Sequence, residues 1–255
     1  MIDTAILLAA GAGTRLRDLA ASKPLCQVGG KALIDHALER LAEAGLTRAI
    51  VVTGYEAERI ERHLAQPQPL TVETIRTRDW REPNGVSALA AAPLIAGPAL
   101  LLMTDHLVEP ALYARLAASD PDGGLLLGID RRLGHPWVDP LDVTFVASDG
   151  DRIVAIGKEM SPHDCYDTGV FAVGPRFFAA LATLASPSIS DAVRALAAAG
   201  KAGIVDCSDL DWIDVDDSNA LAAAEFWLAT ISRDADPKPE ASGLAALQAR
   251  LQQRT

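Results

Sequence analysis

The chain has few cysteines, few aromatic residues and no long apolar run. Three of its 255 residues are cysteine, and aromatic residues make up 5%. The cysteines are widely spaced and form no Cys-x-x-Cys pair, which argues against a disulfide framework or a thiolate zinc site and favours a reducing cytoplasm. No segment approaches the ~20 consecutive apolar residues that cross a bilayer, and no basic region precedes the first apolar stretch. We therefore expect neither a signal segment nor membrane insertion.

The chain also lacks an excess of basic residues. Its formal net charge is −11 and its isoelectric point is near 4.8. A nucleic-acid partner requires a basic face, so this balance argues against one. Hydrophobic residues make up 49% of the chain, enough for a sizeable core. Positive charge is concentrated locally, near one loop that contains Arg15, Arg17 and Lys23.

That loop follows the first apolar stretch. Residues 4–10 are apolar and end at a glycine, which predicts a buried strand of a parallel sheet leading into a tight turn. Gly11 and Gly13 allow the backbone to approach a ligand and point N–H groups at it, while Arg15 and Lys23 supply the charge that a polyphosphate requires. A tight turn that binds no ligand is the alternative for the glycines alone.

Two well-known glycine loops do not match. A dinucleotide fingerprint requires a small residue where Leu16 stands, and a P-loop does not place a proline such as Pro24 after its lysine. The pattern instead resembles the sugar-phosphate nucleotidyltransferases, in which a strand enters Gly-x-Gly-Thr-Arg-Leu and a short loop leads to Lys-Pro-Leu. Residues 8–16 and 23–25 carry that signature intact. The resemblance extends over residues 4–228.

Predicted strands and helices alternate through the first half, which favours parallel strands with crossover helices. The strands are predicted at 4–10, 48–53, 70–75, 99–103, 124–129, 143–146, 152–156, 167–173, 204–206 and 212–215, and the helices at 31–44, 56–65, 86–92, 176–185, 191–199 and 217–232. An Asp-Gly signal at 148–151 indicates a hairpin. We predict an α/β fold, a Rossmann-like doubly wound mixed sheet of the nucleotide-diphospho-sugar transferase type, with a smaller antiparallel acceptor-side subregion.

The predicted domain organisation is a nucleotidyltransferase domain over residues 1–232, followed at 233–255 by a linker and a short C-terminal helix. The linker prediction follows from two prolines in a polar stretch. Leu244, Leu247 and Leu251 have helical spacing, and we expect them to pack against the body or against a second copy in a homodimer.

Acidic residues follow two of the predicted strands. Asp105 ends the fourth strand, where α/β sheets place ligands, although it could instead cap the helix at Pro110. Asp214 lies in a segment with strand spacing, whereas Asp216 and Asp217 also suit the start of the next helix. The resemblance implies a Mg²⁺ site formed by Asp105 and Asp214, a type of site that needs few protein ligands. Asp216 remains the alternative second ligand.

The remaining candidates lie in loops predicted at the same sheet edge. Asn84 offers donors and acceptors to a base, although Asn-Gly is also an ordinary turn. Lys158 could equally face solvent. The resemblance implies nucleotide contacts from Leu8, Ala9, Ala10, Gly11, Gly13, Thr14, Arg15, Lys23, Gly54, Asn84, Gly85 and Ser87, and acceptor contacts from Lys158, Asp167 and Gly169.

The resemblance implies an enzyme that couples CTP to a polyol or sugar phosphate and releases pyrophosphate. Asn-Gly-x-Ser at 84–87 is closest to cytidylyltransferases that use inositol 1-phosphate. Arg15, Lys23 and Asp105 are the implied catalytic residues, and no general base is needed because the acceptor phosphate is already mostly dianionic. The alternatives are cytidylyl, guanylyl or uridylyl transfer to phosphocholine, a phosphonate, a hexose 1-phosphate or the molybdenum cofactor, and a nucleotide-binding module without turnover. A nicotinamide-dependent oxidoreductase is disfavoured by the mismatched fingerprint.

Overall fold

The structure is a computed structural model that describes residues 1–16 and 20–234. Arg17 and the predicted C-terminal helix at 244–251 lie outside the described residues.

Within the described residues the chain forms thirteen strands and seven α-helices. The elements, in chain order, are β1 (Thr4–Ala9), β2 (Gln27–Val28), β3 (Lys31–Ala32), α1 (Leu33–Glu43), β4 (Arg48–Thr53), α2 (Ala57–Leu64), β5 (Thr71–Arg76), α3 (Asn84–Ala91), β6 (Ala99–Met103), β7 (His106–Val108), α4 (Pro110–Ala117), β8 (Leu125–Asp130), β9 (Phe145–Asp149), β10 (Arg152–Gly157), β11 (Cys165–Val173), α5 (Pro175–Thr183), α6 (Ile189–Ala198), β12 (Ala202–Asp206), β13 (Trp212–Asp214) and α7 (Ser218–Asp234). Short 3₁₀ turns occur at Thr14–Leu16, Lys23–Leu25 and Ala92–Leu94.

The main sheet has nine strands in the order β5-β4-β1-β6-β11-β8-β12-β10-β9. The first four are mutually parallel. Strand β11 then runs antiparallel to both β6 and β8, and β10 pairs antiparallel with β9 and β12. This arrangement confirms the predicted doubly wound mixed α/β fold, including antiparallel pairing in the second half. Two small antiparallel ribbons, β2–β3 and β7–β13, lie outside this sheet.

Strand β1 is buried on both faces, as its apolar sequence predicts. Because side chains alternate along a strand, Leu7 joins a core formed with α1, α2 and α4, while Ile6 joins a core formed with α3, α5 and α6. A third core packs α7 against the two ribbons and contains Leu107, Ile213 and Trp227. The ribbons therefore have hydrophobic support of their own.

The structure corrects the predicted loop after β5. Helix α3 begins at Asn84, directly after Pro83, rather than at Val86, so Asn84, Gly85 and Ser87 lie in the first turn of a helix. Pro83 is the N-cap residue, and its backbone angles (φ −55°, ψ 154°) lie outside the helical region. The helix therefore begins directly after Pro83, two residues before the start that the apolar pattern indicates.

The pairing of the two ribbons was not predicted. A strand was predicted at 212–215, but it does not return to the main sheet as expected. Strands β2, β3 and β7 have only two or three residues each, too few to show a period. Strand β13 pairs with β7, which places Asp214 opposite His106. This pairing brings Asp214 close to the carboxyl end of β6, although more than 100 residues separate the two in the sequence.

Candidate active site

The glycine loop is shaped around a lysine side chain. Gly13 has a backbone φ of +53°, and a Cβ at this position would collide with the side chain of Lys23. The loop is also tied to the end of β6, since the Thr104 hydroxyl donates a hydrogen bond of 3.0 Å to the carbonyl of Leu8. Gly13 is therefore required both by its left-handed backbone and by the close approach of Lys23.

Lys23 lies among three carboxylates. Its ammonium donates to Asp105 Oδ2 at 2.6 Å, donates to Asp216 Oδ1 and lies 3.8 Å from Asp214 Oδ1. The lysine side chain is only 9% exposed. A buried ammonium is costly unless it is paired, so these carboxylates fix the position of Lys23.

A second cluster of charges adjoins the first and is more exposed. Arg15 donates to Asp142 and, at 2.8 Å, to Asp216, while Lys158 also donates to Asp142. Asp216 thus contacts both cations of the glycine loop, and Asp142 links Arg15 to Lys158. The structure brings together all three cations that the sequence singles out in the described residues.

His106 connects the two candidate metal ligands. Its Nδ1 lies 2.9 Å from Asp105 Oδ1 and 3.8 Å from Asp214 Oδ1, and its ring stacks on Trp212 with a centroid separation of 6.0 Å. Burial acts to lower the pKa of His106, but the charges of Asp214 and Asp105 outweigh it and raise the pKa to about 9. The imidazole is therefore positively charged at neutral pH in this arrangement.

The two carboxylates respond differently to the same surroundings. Burial acts to raise the pKa of Asp105, but the charge of Lys23 and the contacts with His106 hold it well below its ordinary value. Burial raises the pKa of Asp214, and the neighbouring charge of Asp105 adds to this effect. Asp105 is the strongly ionised member of the pair.

A buried network outside the cluster holds β13 in place. Asp130 is 1% exposed and accepts hydrogen bonds from Trp212 Nε1 at 3.0 Å and from the guanidinium of Arg132 at 2.9 Å. Arg132 in turn donates to Asp211 at 2.8 Å and to the carbonyl of Leu210 at 2.6 Å. The network fixes the Trp212 ring that stacks on His106.

Two adjoining cavities open at this edge of the sheet. The loop cavity, of about 340 Å³, is lined by the glycine loop together with Lys23, Trp80, Glu82 and Asp105. The wide cavity, of about 610 Å³, is lined by residues that include Lys158, Asp167, Asp214 and Trp212. The two share four lining residues: Arg15, Asn84, Met103 and Asp216. The charged cluster therefore lies at the junction of the two cavities.

The predicted residues divide between these cavities. The loop cavity is lined by Leu8, Ala9, Ala10, Gly11, Gly13, Thr14, Arg15, Lys23, Asn84, Ser87 and Asp105. The wide cavity is lined by Lys158, Asp167, Gly169 and Asp214. Burial raises the pKa of Asp167 to about 6, against the hydrogen bond that its carboxylate accepts from the Gly169 N–H at 2.7 Å.

Gly54 and Gly85 do not line either cavity, and both make room for protein atoms. A Cβ on Gly54 would lie 2.7 Å from Trp80 Cβ, and one on Gly85 would lie 2.5 Å from the Pro187 carbonyl oxygen. Asn84 lines both cavities, but its Oδ1 accepts a hydrogen bond of 3.0 Å from the Ile189 N–H. Gly54 and Gly85, which were predicted to contact the nucleotide, thus lie near the site and make room for the packing of Trp80 and Pro187.

The donor set fits a hard divalent cation. One carboxylate oxygen from each of Asp142, Asp214 and Asp216 lies within 4.8 Å of the others, and Asp105 and Asp214 lie equally close in a second group with His106. The protonated His106 ring has no free lone pair, so the carboxylates are the ligand atoms of both groups. The buried Oδ1 of Asp214 accepts no hydrogen bond within the described residues. A carboxylate oxygen left without a donor in a group of carboxylates is a suitable ligand for a cation that prefers oxygen.

Sequence reasoning missed Asp142, Trp80 and Glu82, which lie in irregular segments without a periodic pattern. For the acidic pair before α7, the helix-start interpretation holds for Asp217, whose Oδ1 accepts from the N–H groups of Asn219 and Ala220 at 2.8 Å. It does not hold for Asp216, which contacts Lys23 and Arg15.

These features are those of a nucleotidyltransferase domain, and sequence comparison identifies the family. The sequence model of the MobA-like NTP transferase domain matches residues 5–204, and the chain belongs to that family. No helix within residues 1–16 and 20–234 combines the length and apolar character needed to cross a membrane.

The chain is similar to the protein named bifunctional IPC transferase and DIPP synthase of Rubrobacter xylanophilus, with 30% identity over 226 residues that cover 87% of this chain and 51% of that protein. The N-acetylmuramate alpha-1-phosphate uridylyltransferase of Caulobacter vibrioides is 36% identical over 129 residues, 46% of this chain and 53% of that protein. The chain thus spans about half the length of the bifunctional relative. The inositol-1-phosphate CTP transferase from T. maritima superposes with a TM-score of 0.82 at 20% identity, covering 91% of this chain and 96% of that one, which shows a shared fold.

The packing of Gly169 against His106 generates a first prediction. Gly169 has a φ of +76°, and a Cβ there would lie 2.5 Å from two atoms of the His106 ring. We expect Gly169→Ala to lower the free energy of unfolding by more than the ~1–2 kcal/mol cost of a left-handed alanine and to shift the His106 ring resonances. Gly45→Ala is the matched control, because Gly45 has a φ of +90° with nothing within 4 Å of the added Cβ. Equal losses in both variants, with unchanged His106 resonances, would contradict the role of this contact.

The buried network generates a second prediction. Asp130→Asn keeps the shape of the side chain but removes the charge that balances Arg132, so we expect the free energy of unfolding to fall by about 1–3 kcal/mol in chemical denaturation. Asp209→Asn is the control, because Asp209 pairs with Arg115 but its side chain is 65% exposed. Exposed pairs contribute about 0–1 kcal/mol. A loss at Asp209 as large as that at Asp130 would argue against a special role for the network.

Proposed function

We propose that this chain transfers the cytidylyl group of CTP to the phosphate of inositol 1-phosphate and releases pyrophosphate. The observation that carries the proposal is a cluster of charges at the junction of two cavities, in which Lys23 lies against Asp105 and Asp214 and shares Asp216 with Arg15. A triphosphate and a phosphorylated acceptor would meet at such a junction. The choice of base and acceptor follows the printed name of the inositol-1-phosphate CTP transferase that shares this fold, and the similarity to a protein named as an IPC transferase agrees with it.

The proposed reaction is an in-line displacement. An oxygen of the acceptor phosphate forms a bond to the α-phosphorus of CTP, while the bond from that phosphorus to the oxygen shared with the β-phosphate breaks. The electron pair of the broken bond leaves with pyrophosphate. The acceptor phosphate is mostly dianionic at neutral pH, so no protein group has to remove a proton from it.

The chain's own contribution is positioning and neutralisation of charge. Lys23 and Arg15 line the loop cavity and would contact the triphosphate. Carboxylates hold both side chains, and phosphate oxygens would take over part of these contacts. Lys158, at the wide cavity, would contact the acceptor phosphate, and the Asp167 carboxyl would accept hydrogen bonds from acceptor hydroxyl groups.

Asp105 and Asp214 would hold the Mg²⁺ that we propose as the cofactor. When bound, Mg²⁺ supplies positive charge to the phosphate oxygens of the nucleotide. His106 lies against both carboxylates and would orient them, because its Nδ1 is within hydrogen-bond distance of Asp105. We place the reaction in the cytoplasm, since Cys26, Cys165 and Cys207 are all free thiols in the interior.

A pyrophosphate-release assay with purified protein tests the assignment. The assay would combine CTP, UTP, GTP or ATP with inositol 1-phosphate, phosphocholine, a hexose 1-phosphate or a phosphonate, in the presence of Mg²⁺. We expect turnover with CTP and inositol 1-phosphate and little with the other pairs. Turnover confined to another pair would replace the assigned substrates. Nucleotide binding without release with any acceptor would favour a binding module.

Arg15 gives a quantitative test of the charge argument. We expect Arg15→Gln to lower kcat by about 10²–10³-fold, as loss of one preorganised electrostatic contact does in other enzymes, with little change in stability because the side chain is 53% exposed. Arg62→Gln is the matched control on the exposed surface of α2. An Arg15→Gln enzyme with wild-type kcat would remove Arg15 from the catalytic residues.

A further inference from the structure

Trp80 is held in a fixed orientation beside the glycine loop. Its ring makes an edge contact with Tyr55, with centroids 5.2 Å apart and planes at 70°, and the guanidinium of Arg81 lies 4.4 Å from the ring centroid. The absence of a side chain at Gly54 provides the space in which Trp80 Cβ lies, beside Ala10. Trp80 lines the loop cavity, which places an aromatic side chain at its wall.

The sheet order separates this aromatic residue from the phosphate-binding cations. Strands β5, β4, β1 and β6 are neighbours in that order, with the glycine loop following β1. Trp80 and Glu82 follow β5 and lie on one side of the loop, whereas Asp105, which contacts Lys23, follows β6 on the other side. Neighbouring strands are about 4.8 Å apart, so β5 and β6 are about 14 Å apart. A nucleotide with its phosphates at Lys23 would therefore extend its base toward Trp80 and Glu82.

Glu82 is the carboxylate available to that base. The other acidic residues that line the loop cavity are Asp105 and Asp216, and both contact Lys23. Arg78 donates a hydrogen bond of 2.6 Å to Glu82 Oε2, which holds the carboxylate in place. Within residues 1–16 and 20–234, Oε1 of Glu82 has no such donor. A carboxylate oxygen of this kind is an acceptor and not a donor.

The neighbouring polar groups do not distinguish the pyrimidine bases in the same way. Asn84 uses its Oδ1 to accept from the Ile189 N–H, which leaves its NH₂ group as a donor. A donor of this kind suits the O2 carbonyl, which both pyrimidines carry. The Ser87 hydroxyl can donate or accept. Among these three side chains only the Glu82 carboxylate has a single hydrogen-bonding role, so it is the one that can discriminate the group at position 4 of the ring.

We propose that Trp80 and Glu82 form the base subsite and that Glu82 makes it select cytosine over uracil. The Glu82 carboxylate accepts a hydrogen bond from the exocyclic amino group at position 4 of cytosine, a pairing that carboxylates make with this group elsewhere. Uracil has a carbonyl oxygen at that position, which repels the carboxylate and leaves it unpaired. Trp80 supplies a stacking surface that serves either base. This inference rests on the proposed function, because it presumes that the loop cavity binds a nucleotide.

Equilibrium binding tests the proposal without turnover. Calorimetric titration of the whole chain with CTP and with UTP, in the presence of Mg²⁺ and without acceptor, gives the ratio of the two dissociation constants. We expect the wild-type protein to bind CTP at least ~10-fold more tightly than UTP. Glu82→Gln should bring the ratio to within about twofold, because the amide offers both a donor and an acceptor. Glu43→Gln, on the exposed end of α1, is the matched control and should keep the wild-type ratio.

A Trp80 variant separates stacking from selection. We expect Trp80→Ala to weaken the binding of CTP and UTP by a similar factor, about 10-fold, and to leave their ratio unchanged. Circular dichroism of each variant establishes that it is folded. If Glu82→Gln does not fold, Glu82→Asp, which draws the carboxylate back by one methylene, takes its place and should also reduce the ratio.

The outcomes distinguish the two proposals. A wild-type protein that binds neither nucleotide overturns the proposed function. A protein that binds CTP but does not prefer it to UTP, or a folded Glu82 variant with the wild-type ratio, overturns the role of Glu82 and leaves nucleotidyl transfer in place. A Trp80→Ala variant with wild-type affinity for both nucleotides overturns the stacking role.

Discussion

The ammonium of Lys23 is the interaction on which the candidate site depends. It lies in a largely buried position and contacts carboxylates that follow β6 and β13, almost 200 residues away in the case of Asp216. Several close carboxylates repel one another unless a cation lies between them, and a buried cation is costly without partners. Each therefore stabilises the position of the other. Gly13 completes the arrangement, because only a residue without a side chain leaves room for Lys23 beside the loop.

A second layer of contacts supports that cluster from behind. The β7–β13 ribbon places Asp214 opposite His106, and Asp130 holds the Trp212 ring on which His106 stacks. Buried polar networks rigidify a site only when every member has its partners. Here the carboxylate of Asp130, the guanidinium of Arg132 and the indole N–H of Trp212 satisfy one another. Side chains that do not line the loop cavity, Asp130 and Trp212, thus support His106 and, through it, the acidic residues that Lys23 contacts.

The sequence predicted those parts of the molecule that have a regular apolar pattern or an unusual combination of neighbouring residues. Strand β1 is an apolar run buried on both faces, and the glycine loop combines glycines with nearby cationic residues. Both patterns can be recognised in the sequence alone. Asp142 and Glu82 carry no such pattern, because an acidic residue in an irregular segment resembles any solvated loop residue. The strand at β13 was predicted, but its partner β7 and their pairing were not, because strands of three residues are stabilised by packing against α7 and by pairing with each other. Local propensity contributes little to so short a strand.

The charges of the cluster bear on how a site with so many carboxylates would hold the proposed nucleotide. Arg15, Lys23, Lys158 and His106 lie among four carboxylates, those of Asp105, Asp142, Asp214 and Asp216, so the opposite charges of the cluster largely offset one another. A triphosphate that entered alone would disturb this balance by several negative charges in a partly buried place, where such an excess is poorly screened. In the proposed reaction, entry of the triphosphate together with a divalent cation would reduce the excess, and Lys23 and Arg15 would exchange part of their carboxylate contacts for contacts with phosphate oxygens. The carboxylates that hold Lys23 would then be available to the cation, and this exchange of partners would be the central electrostatic event of nucleotide binding.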